Sequence, residues 1–453
     1  MYNAAQTLAK GIPDEAGESA SYVRYITASY VLAPVLFEYV RFVLTNAMLM
    51  RKRRLYFLSR DGYLMYRIAN FLCQIYELPL ECKYLYCSRY ALRSAEYALL
   101  DEKSLDYICL GGMQVTFESM MKRAGLTGEE MLETARRLGK IADGKMLSEV
   151  SMLRQSLTAA QILHLKEKLR NSPYFMDRLT AHAEDAYPQV TAYLKQEGIL
   201  NDDSFLIVDS GWTGSIQKSM QHLFLSCGSI QTVEGFYFGL YELPEDVIPE
   251  TYHSFFFSPE KDNKNKAFFC NNLFECIFSS PEGMCCGYQK KNGRFEPVLV
   301  TAENPKAEEI EALEALLMQY VNAYAEQPDS KLDFLYAPVQ RTVLQKLLRS
   351  LMWNPCPEEA EFFSTYRFCD DVMGEENTCV AKEMDLHSLR MENNAFRRLL
   401  LYLFQKERTA PFSAWPEGCI ALTQGAGTYD RINTALYRYM LFTRKSLEQR
   451  RRK

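Results

Sequence analysis

No Cys-x-x-Cys pair occurs among the thirteen cysteines, and the two that adjoin, Cys285 and Cys286, start neither a disulfide framework nor a zinc site. Most are read as buried small apolar residues. The five histidines, His164, His182, His222, His253 and His387, stand far apart without ligand spacing, which argues against a histidine metal motif. A basic excess is missing too: the formal net charge is −5, which argues against a general nucleic-acid binder. There is no uninterrupted apolar run of about 18 residues and no charged-then-apolar leader. The expectation is a cytoplasmic protein without a transmembrane segment. Its tail Arg450-Arg-Arg-Lys453 is the one feature suggesting peripheral contact at the inner membrane, with a solvated terminus as the plainer reading. Neither a full P-loop nor a three-glycine dinucleotide fingerprint is found.

What is present is a core-forming chain of 453 residues, 48% of them hydrophobic, enough for two domains or for one with a large insertion. Residues 1–19 are polar and small and read as a loose arm. Tyr30 to Met50 reads as a helix; Pro34, Glu38 and Arg41 would be costly in lipid and are ordinary in a helix covering a sheet. Strand-like runs at Leu55–Leu58 and Cys82–Tyr86 each lead through a polar turn into a helical pattern, which implies parallel pairing. From Leu99 to about Gly198 the pattern is helical. Strand character returns at Ser204–Val208, Thr232–Leu240, Ser254–Phe257, Met284–Gln289 and Phe295–Val300, with Asn292-Gly293 as a hairpin turn. These runs predict an α/β fold with a mainly parallel, Rossmann-like sheet, a helical insertion and a mostly helical C-terminal region. The expected divisions are 1–98 and 201–303 for the two halves of the α/β domain, 99–200 for the insertion or cap, and 304–453 for the helical remainder.

Two corners carry the chemistry. In Leu206-Ile-Val-Asp-Ser-Gly-Trp-Thr-Gly-Ser215 a buried-strand run ends in Asp209 and a small-residue turn, and a helix follows. The first N–H groups of a helix lack partners and sit at the positive end of its dipole. Gly211, Thr213, Gly214 and Ser215 are therefore candidates for a phosphate cradle; an ordinary corner with Thr213 or Ser215 as N-cap fits equally well. The second corner, Leu55-Tyr-Phe-Leu-Ser-Arg-Asp-Gly-Tyr63, has the same design and contributes Arg60, Asp61 and Gly62. In open α/β sheets ligands sit beyond the carboxyl ends of the strands, which would place Asp61 and Asp209 on one rim as catalytic groups or as ligands of Mg2+. Arg89 and Arg93, four apart, would share a helix face near that rim and suit a phosphate or carboxylate; pairing with Glu96 or Asp101 is the alternative. Glu275 stands among apolar residues of a short helix, Asn271–Phe278. It would need a partner or a raised pKa there, which makes it a candidate for chemistry, unless it snorkels from the helix edge. Thr423-Gln-Gly-Ala-Gly-Thr428 reads as a turn before the last helix.

Four runs in order, Phe57-Leu-Ser-Arg-Asp-Gly-Tyr63, Tyr86-Cys-Ser-Arg-Tyr-Ala-Leu92, Val208-Asp-Ser-Gly-Trp-Thr-Gly-Ser-Ile-Gln217 and Asn272-Leu-Phe-Glu-Cys-Ile-Phe-Ser-Ser-Pro-Glu-Gly283, resemble predicted haloacid-dehalogenase-superfamily hydrolases of bacterial surface-polysaccharide gene clusters. The likeness covers roughly Tyr22 to Val300, the region that follows the nucleophile domain in those proteins. The resemblance implies either a magnesium-assisted hydrolase or transferase acting on a phosphorylated sugar or nucleotide, or a non-catalytic partner of a glycosyltransferase. If Ser59-Arg-Asp-Gly-Tyr-Leu64 is aligned with the nucleophile motif, Ser59 replaces its nucleophilic aspartate and no phosphoaspartate can form at that position. The two corners also resemble, more weakly, the ligand loops of type I phosphoribosyltransferases. Those loops usually carry two adjacent acids, whereas Ser210 follows Asp209 here.

Overall fold

The computed structural model describes residues 2–9, 19–111, 115–140, 147, 150–300, 307–368, 378–405 and 412–451. Its centre is a sheet of five parallel strands, β1 (Arg54–Leu58), β2 (Glu81–Leu85), β3 (Phe205–Trp212), β4 (Gly235–Leu240) and β5 (Tyr252–Phe257), in the spatial order β2-β1-β3-β4-β5. Each strand reads as a nearly continuous apolar run because both faces are covered. Leu55, Phe57, Leu206 and Val208 enter the core on one face, and Tyr56, Leu58, Phe205 and Ile207 the core on the other. The fold is thus α/β and Rossmann-like, with helical insertions and a mostly helical C-terminal region.

Residues 2–9, expected within a loose arm, form helix α1 (Tyr2–Ala9) instead. Ala4, Ala5 and Leu8 fall on one face and are buried, so a segment too short and small to announce itself is fixed by docking. Residues 10–18 of the expected arm lie outside the described residues. The stretch Ser21–Leu49 is long and apolar enough to span a bilayer, and most of it is buried inside the fold. Its last part, α2 (Ala33–Leu49), continues directly from a π-helical turn over Ala28–Leu32, and Pro34, which has no N–H to donate, stands where the winding changes. The buried Arg41 pairs with Glu38 at 2.7 Å and donates to the carbonyl of Ala337 at 2.8 Å, so both charges are satisfied internally.

Helix α3 (Tyr63–Ile75) follows β1 and packs with α2; α4 (Arg89–Glu96) follows β2, and the long α5 (Pro173–Gln196) packs against it. Between α4 and α5 the chain builds a separate hydrophobic cluster around Phe117, Met120, Leu165 and Phe175. Helix α6 (Ser215–Ser226) leaves β3, and α7 (Asn271–Ile277) carries Glu275. The hairpin β6 (Cys285–Lys291) and β7 (Arg294–Leu299) turns at Asn292 and Gly293, both at positive φ. Helix α8 (Ala307–Ala325) sends Tyr320 and Tyr324 onto Phe37 of α2, so the C-terminal helices share the core that covers the first face of the sheet. The chain's last described helix is α9 (Thr428–Arg451), preceded by the glycine turn, whose Gly427 N–H is accepted by Asp430 at 3.0 Å.

At the first corner the backbone approaches itself so closely that a Cβ on Gly62 would lie 2.4 Å from the carbonyl oxygen of Leu58. Gly62→Ala is therefore expected to lower stability by roughly 2–4 kcal/mol, an overpacking against backbone that cannot yield. Chemical denaturation would measure this. A change under about 0.5 kcal/mol would mean that the corner is loose.

Candidate functional site

The order β2-β1-β3-β4-β5 makes the chain turn to opposite sides after β1, so the gap between the carboxyl ends of β1 and β3 is the switch point where open α/β sheets hold ligands. Register places Phe57 beside Val208, and the next residues of both strands open onto that rim.

From β1 the chain makes a tight turn. Ser59 N–H donates to Leu85, its hydroxyl donates to the carbonyl of Cys87 at 2.6 Å, and it accepts from Cys87 N–H at 3.0 Å. Ser59 thereby ties β1 to the end of β2 and is fully used. Arg60 stands at φ +69°, and its N–H donates to the hydroxyl of Tyr84. A bulky residue in this left-handed region costs about 1 kcal/mol or more and persists where its surroundings impose it. The turn aims Asp61 at the end of β3, where its carboxylate accepts a short hydrogen bond from the Ser210 hydroxyl.

Strand β3 runs farther than expected. The Asp-Ser-Gly-Trp stretch is its last buried half, and the bend comes within it, at Gly211 (φ +106°) and Trp212 (φ +72°). A Cβ on Gly211 would meet the carbonyl oxygen of Gly239 at 2.6 Å, so side-chain-free backbone is required there. The bend swings the Trp212 ring among Phe257, Phe269 and Phe274 and lets its indole N–H donate to Glu275. Helix α7 is clasped in turn by Asn272 and Cys270, both donating to the carbonyl of Ala414.

Three carboxyl groups and two guanidinium groups therefore share one electrostatic neighbourhood. Burial raises the pKa of Asp61, opposed by the Ser210 hydrogen bond and by Arg60 and Arg89. Burial, then the charge of Asp61, pushes Asp209 up to about 7, with Arg89 opposing. The same two causes push Glu275 up to about 7, against Arg89 and Arg60. Asp61 and Glu275 keep some contact with solvent although protein crowds them, whereas Asp209 is only 9% exposed. Arg60 and Arg89 are exposed above them. Neither guanidinium makes a hydrogen bond or ion pair among the described residues, so both are free to meet an anion.

The structure thus brings together Asp61, Asp209, Glu275, Arg60 and Arg89. Other expectations need correction. The Gly62 amide donates to Leu58 at 2.9 Å and the Gly211 amide to the Asp209 side chain at 3.3 Å, so both glycines shape backbone rather than donate to phosphate. Neither Thr213 nor Ser215 caps α6; its N-cap is Gly214, left-handed, without a side-chain cap, and pressed against the Tyr252 ring. Arg93 does not reach the rim, because its guanidinium lies 4.1 Å from the ring centroid of Tyr107 in the insertion. Glu96 is taken by Ser219 and His222 rather than by either arginine. Glu275 does not snorkel. Ser210 and Trp212, the two residues that hold Asp61 and Glu275, carried no sequence signal beyond lying next to Asp209. Concavities of about 540 Å³ beside Arg137 and His164 and about 600 Å³ beside Arg51 and Pro79 are lined by none of the cluster residues.

Fold and site together define a doubly wound, Rossmann-like α/β protein with an acid and arginine cluster at its switch point. No protein-family model matches the chain, and no curated protein matches it.

Proposed function

We propose that the rim between β1 and β3 binds a phosphorylated small molecule, a sugar phosphate or nucleotide of the kind used in cell-surface polysaccharide synthesis. The observation that carries this reading is the pair of exposed guanidinium groups, Arg60 and Arg89, which make no hydrogen bond or ion pair among the described residues and act electrostatically on three recessed carboxyl groups. Guanidinium forks suit phosphate oxygens. The uncapped start of α6, at Thr213, Gly214 and Ser215, is a secondary anion contact. Asp61 and Asp209 offer the hard oxygen donors that Mg2+ takes, and two like charges at one rim favour a divalent cation. No group of three His, Cys, Asp or Glu residues is arranged for a metal among the described residues. Mg2+ is commonly held by one or two carboxylates together with substrate phosphates. Bound there, Mg2+ would supply charge neutralisation of the phosphate.

Under the enzymatic form of this reading, a hydrolase or transferase, Glu275 is the acid or base group, since a pKa near 7 lets a carboxyl give or take a proton at neutral pH, and Asp209, near 7 without a cation, shares that role only where it does not ligate Mg2+. Ser59 is no nucleophile, because its hydroxyl is bound on both sides to Cys87. That engagement favours the second form, a non-catalytic reader of the ligand that serves a glycosyltransferase. The likeness to the haloacid-dehalogenase-superfamily hydrolases and to the phosphoribosyltransferase loops is part of the same proposal.

The test is a melting-temperature screen against sugar phosphates, nucleotide sugars and phosphoribosyl pyrophosphate, with and without Mg2+, run beside assays of phosphate and pyrophosphate release. A magnesium-dependent shift with turnover supports the enzyme; a shift without turnover supports the reader. No shift with any compound removes both. Thr213→Val, nearly equal in volume, is expected to reduce the shift mildly, and an unchanged shift would exclude the α6 start from the site.

A further inference from the structure

Helix α9 has two apolar sides. Its inner face, with Thr434, Ala435, Tyr437, Leu441 and Phe442, is buried against the protein. It is held by an Arg438–Glu417 pair at 2.7 Å and by Asn393 donating to the carbonyl of Asp430 at 2.7 Å, so the helix cannot roll. The ridge on the opposite side would ordinarily be charged. Here it reads Tyr429, Ile432, Leu436, Tyr439, Thr443 and Leu447, and the five large apolar members are each between 47% and 67% exposed. Steps of three and four residues make this a narrow seam of the kind that packs against another helix, and no charged residue interrupts it.

We propose that this seam is an interface between two copies of the chain, in which α9 pairs with α9 of a second molecule, antiparallel about a two-fold axis. The seam is complementary to itself in that orientation. An axis between Leu436 and Tyr439 sets each of these against the other in the partner and Ile432 opposite Thr443, and brings Tyr429 within one position of Leu447. Large next to small, and aromatic next to aliphatic, recur along its length. At 24 residues the helix is about 36 Å long. Five half-exposed large side chains offer roughly 500 Å² per copy, so the pair reaches about the 1,000 Å² that a specific contact needs. An interface of that size gives a reversible dimer, with a dissociation constant on the order of 10 µM.

Sedimentation velocity over a concentration series of the full chain tests this. The expected result is a monomer–dimer equilibrium in that range. Leu436→Glu and Tyr439→Lys are each expected to weaken it at least tenfold while leaving the melting temperature of the monomer unchanged, because both side chains are on the solvent side. Mixing the two variants is expected to restore dimer, since the antiparallel axis brings the introduced acid against the introduced base. A monomer at about 200 µM, or dimerisation unaffected by both substitutions, overturns the proposal. So does failure of the mixture to associate, which would reject the antiparallel register, and so does co-sedimentation of a monomer with anionic vesicles, which would give the seam to a membrane.

Discussion

Replacing Arg60 and Arg89 together by alanine is expected to abolish the ligand-induced rise in melting temperature while leaving the ligand-free protein within one or two degrees of wild type. The second half follows from their exposure and their lack of hydrogen bonds among the described residues, and the acids beneath, deprived of two opposing cations, hold their protons more firmly instead of being left as unpaired charges. The first half follows from what a guanidinium contributes to phosphate. A hydrogen bond to a charged group adds about 1.5–3 kcal/mol, so each arginine accounts for roughly 10- to 150-fold in affinity. Wild type with ligand at about a hundred times its dissociation constant gains about 2.7 kcal/mol, and the double variant at the same concentration gains almost nothing. An identical shift in both proteins would show that the anion is held elsewhere.

Asp209→Asn and Glu275→Gln are each expected to raise the melting temperature near pH 8 and to match wild type toward pH 4. The folded protein holds both carboxyl groups near 7, well above the value of about 4 that they take in an unfolded chain. Between those values the native state binds more protons than the unfolded state, so stability falls as pH rises from about 4 to about 7 and levels off above. Each group contributes at most on the order of 1.4 kcal/mol per pH unit inside that window. The amides carry no charge to desolvate, and the side-chain oxygen of the glutamine introduced by the second substitution can still accept from the Trp212 indole. Scanning calorimetry across the window decides the matter: variants less stable than wild type at pH 8 would mean that Arg60 and Arg89 hold the acids ionised. Ligand response is a second readout: Asp209→Asn, which loses a donor for Mg2+, is expected to lose it despite being more stable.

The elements that were legible are those whose signal is local. Strand, acid, glycine and helix recur at Leu58–Gly62 and again around Asp209, and parallel pairing followed because a helix intervenes each time. Asn292-Gly293 named its own turn, and Glu275 betrayed itself as a charge in an apolar helix. Legibility ends where two local signals compete. Gly211 and Gly214 read as a loop, but the β-sheet hydrogen bonds of β4 carry β3 through to Trp212 and force a positive φ on a tryptophan. The contacts that organise the site, Ser210 to Asp61 and Trp212 to Glu275, join residues far apart in the chain and leave no trace in either segment alone. Helix α1 escaped notice for a related reason, since its small side chains acquire meaning only against the rest of the core.

Because the insertion lies between β2 and β3, the register partners Leu55 and Leu206 are separated by about 150 positions, and their pairing must close a very long loop. During synthesis at about 5–20 residues per second, β3 emerges several seconds to tens of seconds after β2, and until then β1 presents an open edge. The separate cluster around Phe117 and Phe175 changes that interval. An insertion able to collapse on its own contacts turns the intervening chain into a compact spacer, and each halving of the effective loop lowers the closure cost by about 0.6 kcal/mol. The same hundred residues that delay the central strand pairing thus also shorten the search for it, with the nascent chain exposed to edge-to-edge association for as long as β3 is still in the ribosome.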